Sequence, residues 1–246
     1  MDTKPVILAL WSLPRSRSTA FFRMMAQRGD FLAVHEPFSN LAEFGSAEVA
    51  GQRVRTPRAL LSTLRSAAEE RPVFFKDTTD ERYPAVLDDR DFLCTGARHT
   101  FLIRHPRETI RSYHALNPEV RRHQIGVEAL HEIFTAVGRL TGKVPVVIDS
   151  ADLVTAPEAL VRAYCARVSI PFDPRALTWE AGDRPEWRPT RRWHADVARS
   201  TGFRQASTVY DLDVDRDPVL SGHLRHHLPF YEELHRHRLR VCEEKP

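Results

Sequence analysis

Three cysteines are all that the 246 residues contain. Cys94, Cys165 and Cys242 are far apart and odd in number, which suggests neither a disulfide framework nor a zinc knuckle. A reducing, cytoplasmic setting is expected. Charge of one sign is also in short supply: 36 Lys+Arg stand against 33 Asp+Glu, a formal net charge of +3. That balance gives no reason to expect a nucleic-acid partner, while a local anionic ligand remains compatible with it. No apolar run approaches the roughly 20 residues that span a bilayer, and "MDTKPVILALW" does not have the form of a cleavable leader, so no membrane span is expected. There are no internal repeats and no low-complexity tract. The string G-x-x-x-x-G-K-[ST] of the P-loop NTPases occurs nowhere, so any phosphate site here is unlike theirs.

What the sequence does contain is an alternation. Val6–Trp11 is a continuous apolar run, as in a strand buried on both faces, and shorter runs follow at 31–34, 72–75, 100–103 and 144–148. Between them lie segments of helical period, among them 57–70, 106–116, 123–141 and 156–168. This pattern predicts an α/β fold, a central mainly parallel sheet flanked by helices in three layers, in a single domain spanning 1–246. Residues 45–57 read as an exposed connection or insertion without chemistry. Residues 171–192, with four prolines, read as a long ordered loop or lid that continues toward 203. A peripheral helix is expected over 218–240, interrupted near Pro229.

Ligands of such sheets sit beyond the carboxyl ends of the strands, so the polar residues there carry the interest. In "ALWSLPRSRSTAFFRMM", Phe21, Met24 and Met25 take helical spacing after the apolar run, Ser18 or Thr19 can cap the helix, and Gly29 can end it. The polar knot is therefore a strand-to-helix turn, whose N–H groups and helix dipole favour an anion, helped by Arg15 and the hydroxyls of Ser16, Ser18 and Thr19. An ordinary connection is the plainer reading. "FLIRHPRETIRSYHAL" has the same grammar: Arg104 leaves a strand end, Pro106 opens a helix, and Ser112, about two turns on, can face back toward the strand. Arg104 and Ser112 together could clamp one phosphate. Alternatively, Arg104 pairs with Glu108.

Two such sites on one sheet suit a nucleotide with two separated phosphate groups. The pair "PRSRST" and "RHPRETIRSY" resembles the sulfotransferases that use 3'-phosphoadenosine-5'-phosphosulfate, whose first loop reads P-[KR]-[SA]-G-[ST]-T and whose second motif reads R-x-P-x-x-x-x-x-S-x-Y. Pro14, Arg15, Ser16, Ser18 and Thr19 match the first; Arg104, Pro106 and Ser112 match the second, with Tyr113 one place before the motif's tyrosine. Looser likeness at 28–38, 74–77 and 193–203 extends the resemblance over the chain in outline. It implies a P-loop-like fold and transfer of a sulfuryl group to a hydroxyl or amine of a small-molecule acceptor, releasing adenosine 3',5'-bisphosphate, with no metal required.

On that resemblance the loop from Arg15 through Arg17 to Thr19 holds the 5'-phosphosulfate, and Arg104 and Ser112 hold the 3'-phosphate. Arg15, always charged, would stabilise the leaving phosphate electrostatically. Glu36 is the first choice of general base and Asp77 the second, because Thr78 stands where many cytosolic relatives carry a catalytic histidine. Lys76 could steady the transferring group or simply pair with Asp77. Three departures from the pattern stand out. Arg17 replaces the loop glycine and must tolerate strain or adopt an ordinary conformation. Ala20 replaces an adenine-stacking tryptophan, leaving Phe22, Trp193 or Phe203 for that task. The C-terminal phosphate motif is missing, leaving Arg191, Arg192 or the stretch with Thr201, Gly202 and Phe203 as substitutes. His223 and His227 have chelating spacing, but no acidic or cysteine cluster completes a metal site, and a solvated helix face is expected there. Competing classes are a nucleotide-dependent phosphotransferase and a non-catalytic adenosine-bisphosphate-binding protein. The sequence assigns neither the acceptor nor an oligomeric state.

Overall fold

Ile7, Ala9 and Trp11 face one side of the first strand, Leu8 and Leu10 the other, and all five are buried. A strand apolar on both faces belongs inside a parallel sheet covered on two sides. The computed structural model, which describes residues 7–204 and 210–241, places it there; Val6 and Cys242 lie outside the described residues. The elements run β1 (Ile7–Ser12), α1 (Ser18–Arg28), β2 (Leu32–His35), α2 (Pro37–Phe44), β3 (Ala47–Val49), β4 (Gln52–Val54), α3 (Pro57–Glu70), β5 (Val73–Thr78), α4 (Pro84–Asp88), β6 (Arg98–Ile103), α5 (Pro106–His114), α6 (Val127–Thr141), β7 (Val146–Asp149), α7 (Ser150–Thr155), α8 (Pro157–Arg167), α9 (Ala195–Ala198) and α10 (Pro218–Arg236). Short 3-10 turns occupy Arg122–Ile125, Pro174–Leu177 and Pro185–Trp193.

The main sheet has the order β2-β5-β1-β6-β7, with every neighbouring pair parallel. One face carries Leu60 and Leu64 of α3, Leu130 and Ile133 of α6 and Leu220 of α10; the other carries Phe21 and Met25 of α1 with Leu160 and Tyr164 of α8. These are the three expected layers. The chain passes from β1 to the edge strand β2, returns to insert β5 between them, then crosses β1 to add β6 and β7 on the other side. The direction of winding therefore reverses between β1 and β6, where α/β sheets open a crevice at their carboxyl ends.

Three expectations are corrected. Residues 45–57 are not a bare connection: β3 and β4 form an antiparallel hairpin whose Ala47, Val49 and Val54 are buried against α2 and α3. Pro229 does not interrupt α10, which runs through it. Proline removes one helical hydrogen bond at a cost of about 3 kcal/mol, but Pro229 lies on the exposed side, while Leu224, Tyr231 and Leu234 anchor both halves in the core. Nor do its histidines form a solvated face. His227 is fully buried and its Nε2 meets the Arg122 carbonyl at 2.7 Å, His223 faces the Val120 carbonyl at 3.3 Å, and His226 meets Glu128 at 3.1 Å.

Gly126 has a specific steric task. At φ 82°, a Cβ there would lie 2.8 Å from the Thr79 carbonyl oxygen and 3.1 Å from Pro14, so only glycine allows the turn before α6 to approach the ends of β1 and β5. Among the described residues, no helix is long and apolar enough to cross a membrane.

Candidate active site

The loop after β1 is tied down from below. The Leu13 N–H donates to the Leu102 carbonyl at 3.1 Å, and the buried Ser16 hydroxyl donates to the Leu13 carbonyl at 2.6 Å. Arg15 and Arg17 sit at φ 61° and 67°, in the left-handed region that costs a side-chain-bearing residue about 1 to 2 kcal/mol. Arg17 thus adopts the strained conformation that its glycine-replacing position implied. No side chain caps α1 at Arg17, and Ser18 and Thr19, whose N–H groups lack the backbone partner that Ala20 and Phe21 find in the Arg17 carbonyl, line the cavity above, as anion-binding helix starts do.

Three guanidinium groups converge on that cavity. Arg15 donates through Nε to Ser112 Oγ at 3.0 Å and through Nη1 to the Trp193 carbonyl at 2.7 Å. Arg104 donates to the Arg15 carbonyl at 2.6 Å, and Arg17 reaches the Ser150 carbonyl at 3.3 Å. Two of them have a carboxylate at the outer limit of an ion pair: Asp196 lies 3.9 Å from Arg15, and Glu108, the alternative partner expected for Arg104, lies 3.8 Å from it. Burial, with Arg17 as a like-charged neighbour, lowers Arg104 to about 10, and burial lowers Arg17 as well; Arg104 still carries its charge at neutral pH. Ser18, Thr19, Ser112 and Tyr210, whose hydroxyl is 3.0 Å from Ser112, complete a wall rich in donors. Cations held this close with weak compensation favour an anion of more than one charge.

The far end of the same cavity has a different character. Glu36 terminates β2 at φ 48°, and its carboxylate accepts from the ammonium of Lys76, which is 1% exposed. Burial would raise the Glu36 carboxyl, but Lys76, with His35 and His194, holds it at about 2. Asp77 points elsewhere. It accepts from the N–H groups of Phe38 at 2.6 Å and Ser39 at 3.1 Å, from the Ser39 hydroxyl at 2.5 Å and from its neighbour Thr78 N–H at 3.0 Å. It therefore satisfies the start of α2, and burial pushes its carboxyl up to about 7 against those hydrogen bonds. Ser39, Glu43, Thr78 and Asp80 make this end polar.

Of the residues singled out in the sequence, Arg15, Arg17, Ser18, Thr19, Glu36, Lys76, Arg104, Ser112, Trp193, Gly202 and Phe203 all line one cavity. Three of the others do not. Ser16 is turned into the loop, Asp77 is turned under α2, and Thr201 is exposed, its carbonyl accepting from Trp179 N–H at 3.1 Å. Phe22 is also excluded as a stacking partner, because it is in the core with its ring 4.8 Å from that of His35. Neither Arg191 nor Arg192 lines the cavity; Arg204 does. Lys76 pairs with Glu36 rather than with Asp77.

Sequence reasoning passed over His194. It is 4% exposed on the cavity wall, with Nδ1 3.2 Å from Thr19 Oγ1 and Nε2 3.0 Å from Thr190 Oγ1. Burial lowers it to about 4. Its place in "WHAD", directly after Trp193, is the only local hint, since its partner Thr19 is 175 residues away.

A family model described as a sulfotransferase domain matches residues 6–238. The chain belongs to the sulfotransferase family. Among curated proteins the chain is 28% identical over 213 residues to branched-chain-amino-acid aminotransferase-like protein 2 of Arabidopsis thaliana, covering 80% of this chain and 36% of the relative. Protein 1 of that name, also from Arabidopsis thaliana, is 27% identical over 246 residues, covering 92% and 42%. The chain thus spans less than half the length of these relatives. Solved structures similar to this chain include a sulfotransferase domain from the curacin biosynthetic pathway (TM-score 0.48, 16% identity, 73% of this chain and 79% of that one). Others are the sulfotransferase domain of the Synechococcus PCC 7002 olefin synthase (0.41, 16%, 92% and 96%) and a mouse sulfotransferase complexed with PAP (0.43, 12%, 96% and 86%).

Proposed function

We propose that the chain transfers a sulfuryl group from 3'-phosphoadenosine-5'-phosphosulfate to a hydroxyl or amine of a small polar acceptor by in-line displacement. The observation that carries this reading is the meeting of two cationic strand-end sites, one after β1 and one after β6, in a single cavity. The donor set suits the nucleotide: guanidinium groups, hydroxyls and helix N–H groups at one end, and a partly exposed aromatic, Phe203, beside Gly202 for a base. When bound, the nucleotide supplies an activated sulfuryl group and a phosphate leaving group.

The residues divide that work. Ser18, Thr19 and the first N–H groups of α1 bind the 5'-phosphosulfate, and Arg104, Ser112 and Tyr210 bind the 3'-phosphate. Arg15 is tethered between Ser112 and the Trp193 carbonyl, and its guanidinium would offer positive charge to the leaving phosphate, which favours the transition state over the ground state. Lys76, fixed by Glu36, presents positive charge to the transferring group. Glu36 thereby loses the role of base: a carboxylate held at about 2 and already bonded to an ammonium is a weak proton acceptor. The polar far end, with Ser39, Thr78 and Asp80, suits a hydrophilic acceptor better than a greasy one.

Incubation with 35S-labelled donor and a panel of alcohols, phenols and amines tests the reading. Label should pass to one acceptor class, with release of adenosine 3',5'-bisphosphate, and chelation of divalent cations should leave the rate unchanged. Magnesium-dependent phosphoryl transfer from ATP would replace this reading with a phosphotransferase, and bisphosphate binding without turnover would replace it with a non-catalytic binder.

A further inference from the structure

We infer that His194 Nε2 accepts the proton of the acceptor hydroxyl; the inference rests on the sulfuryl-transfer reading above. A base must lie within hydrogen-bond reach of the proton it takes, and five titratable groups at the far end of the cavity come into question. Asp77 is turned away beneath α2, Glu36 is bonded to Lys76, Asp80 accepts from the Thr78 hydroxyl at 2.7 Å, and His35 is packed behind the wall between Phe22 and His194. His194 remains. Its ring stands on the cavity wall between the loop of the donor site and the segment that covers it.

The two hydroxyls on the ring give it a direction. With the hydrogen on Nδ1, the ring donates to Thr19 Oγ1, and the Thr19 hydroxyl is left to donate toward an anion in the loop. Nε2 then carries a lone pair, which the Thr190 hydroxyl meets at 3.0 Å. Thr190 thus occupies the place that an acceptor hydroxyl would take, and an acceptor that displaces it presents its own proton to Nε2.

The surroundings favour a neutral ring before the donor arrives. His35 and Glu36 face it from the end of β2, Lys76 from β5, Arg15 and Thr19 from the loop and α1, and Asp183, Trp187 and Thr190 from the covering segment. After burial, the positive charges of Lys76 and Arg15 oppose protonation, and Glu36 and Asp183 assist it. Negative charge brought into the loop offsets Arg15, so the ring gains basicity when the donor is in place. In the step itself, an oxygen lone pair of the acceptor forms the new O–S bond. The S–O bond to the leaving phosphate breaks, with its electron pair passing to the phosphate oxygen beside Arg15. The hydroxyl proton moves to Nε2 and afterwards to water.

The test uses the full chain labelled with 15N in histidine, together with His194→Gln. In the wild-type protein the His194 pKa should rise by one unit or more on saturation with adenosine 3',5'-bisphosphate, with Nδ1 as the protonated nitrogen of the neutral ring. An unmoved pKa, or hydrogen on Nε2, would overturn the inference without the need for a variant. His194→Gln should bind the bisphosphate within threefold of wild type and lose at least 100-fold in 35S transfer, within the usual range for loss of a general base. Transfer retained within fivefold would overturn the base assignment and leave the sulfotransferase reading standing. Wild-type protein that neither binds the bisphosphate nor transfers label would instead remove that reading, and the inference with it.

Discussion

Arg15, Arg17 and Glu36 all hold positive φ although none is glycine, and all three line the cavity. Strain of about 1 to 2 kcal/mol at each persists because the side chains are needed where that backbone puts them. The Glu36–Lys76 pair illustrates the energetics. Removing one partner of a buried pair leaves an uncompensated charge, a loss of about 3 to 5 kcal/mol. Lys76→Met should therefore destabilise the protein by that order in urea denaturation, and the double variant with Glu36→Gln should recover more than half of the loss. Failure of the second change to recover stability would show that the pair is not the source. At this scale the sequence was legible where spacing was local: Arg104 and Ser112 are eight residues apart and line one wall. It was not legible for His194, whose partners lie on a distant loop and on a turn without periodicity, nor for Asp77, because alternation cannot tell a cavity-facing carboxylate from a helix cap.

At the scale of elements, α2 depends on a residue outside it. No side chain of its own caps the helix at Glu36, and Asp77 of β5 accepts from two of its N–H groups instead. Asp77→Ala should cost about 3 kcal/mol of stability while leaving affinity for adenosine 3',5'-bisphosphate within threefold. A large loss of affinity with unchanged stability would make Asp77 a site residue after all. The parallel strands were readable because burial on both faces leaves continuous apolar runs. The β3–β4 hairpin was not, since three-residue strands give too few alternations to count. Helix α10 was read as broken because proline is a local signal, whereas the contacts that carry the helix past Pro229 come from α5 and α6.

For the whole molecule, buried histidines set the response to acid. Burial lowers His99, His194 and His227 each to about 4, and His35 well below its usual value. Between pH 6.5 and 4 the native state leaves them neutral while the unfolded chain protonates them, so stability falls with pH across that window. His99 shows why: its Nδ1 accepts from the Trp11 indole at 2.9 Å, a bond that protonation would abolish. Asp77 and Asp80, raised by burial to about 7 and about 6, work in the opposite direction, since their native carboxyls keep protons that the unfolded chain releases. Four histidines against two aspartates leave a net uptake of about two protons on unfolding, roughly 2.7 kcal/mol per pH unit near pH 5. The melting temperature should therefore drop steeply between pH 6 and 5; a flat or rising profile would contradict this balance.

Arg15, Arg17 and Arg104 stand at the point where the sheet changes its direction of winding, and the account depends on their serving a nucleotide with two separated phosphate groups. Calorimetric titration with adenosine 3',5'-bisphosphate, adenosine 5'-phosphate and ATP, on the wild type and on Arg104→Ala, tests this directly. The bisphosphate should bind at least tenfold more tightly than adenosine 5'-phosphate, about 1.4 kcal/mol, and more tightly than ATP, with Arg104→Ala erasing the advantage. Equal affinity for the bisphosphate and adenosine 5'-phosphate, or an advantage that survives loss of Arg104, would contradict it.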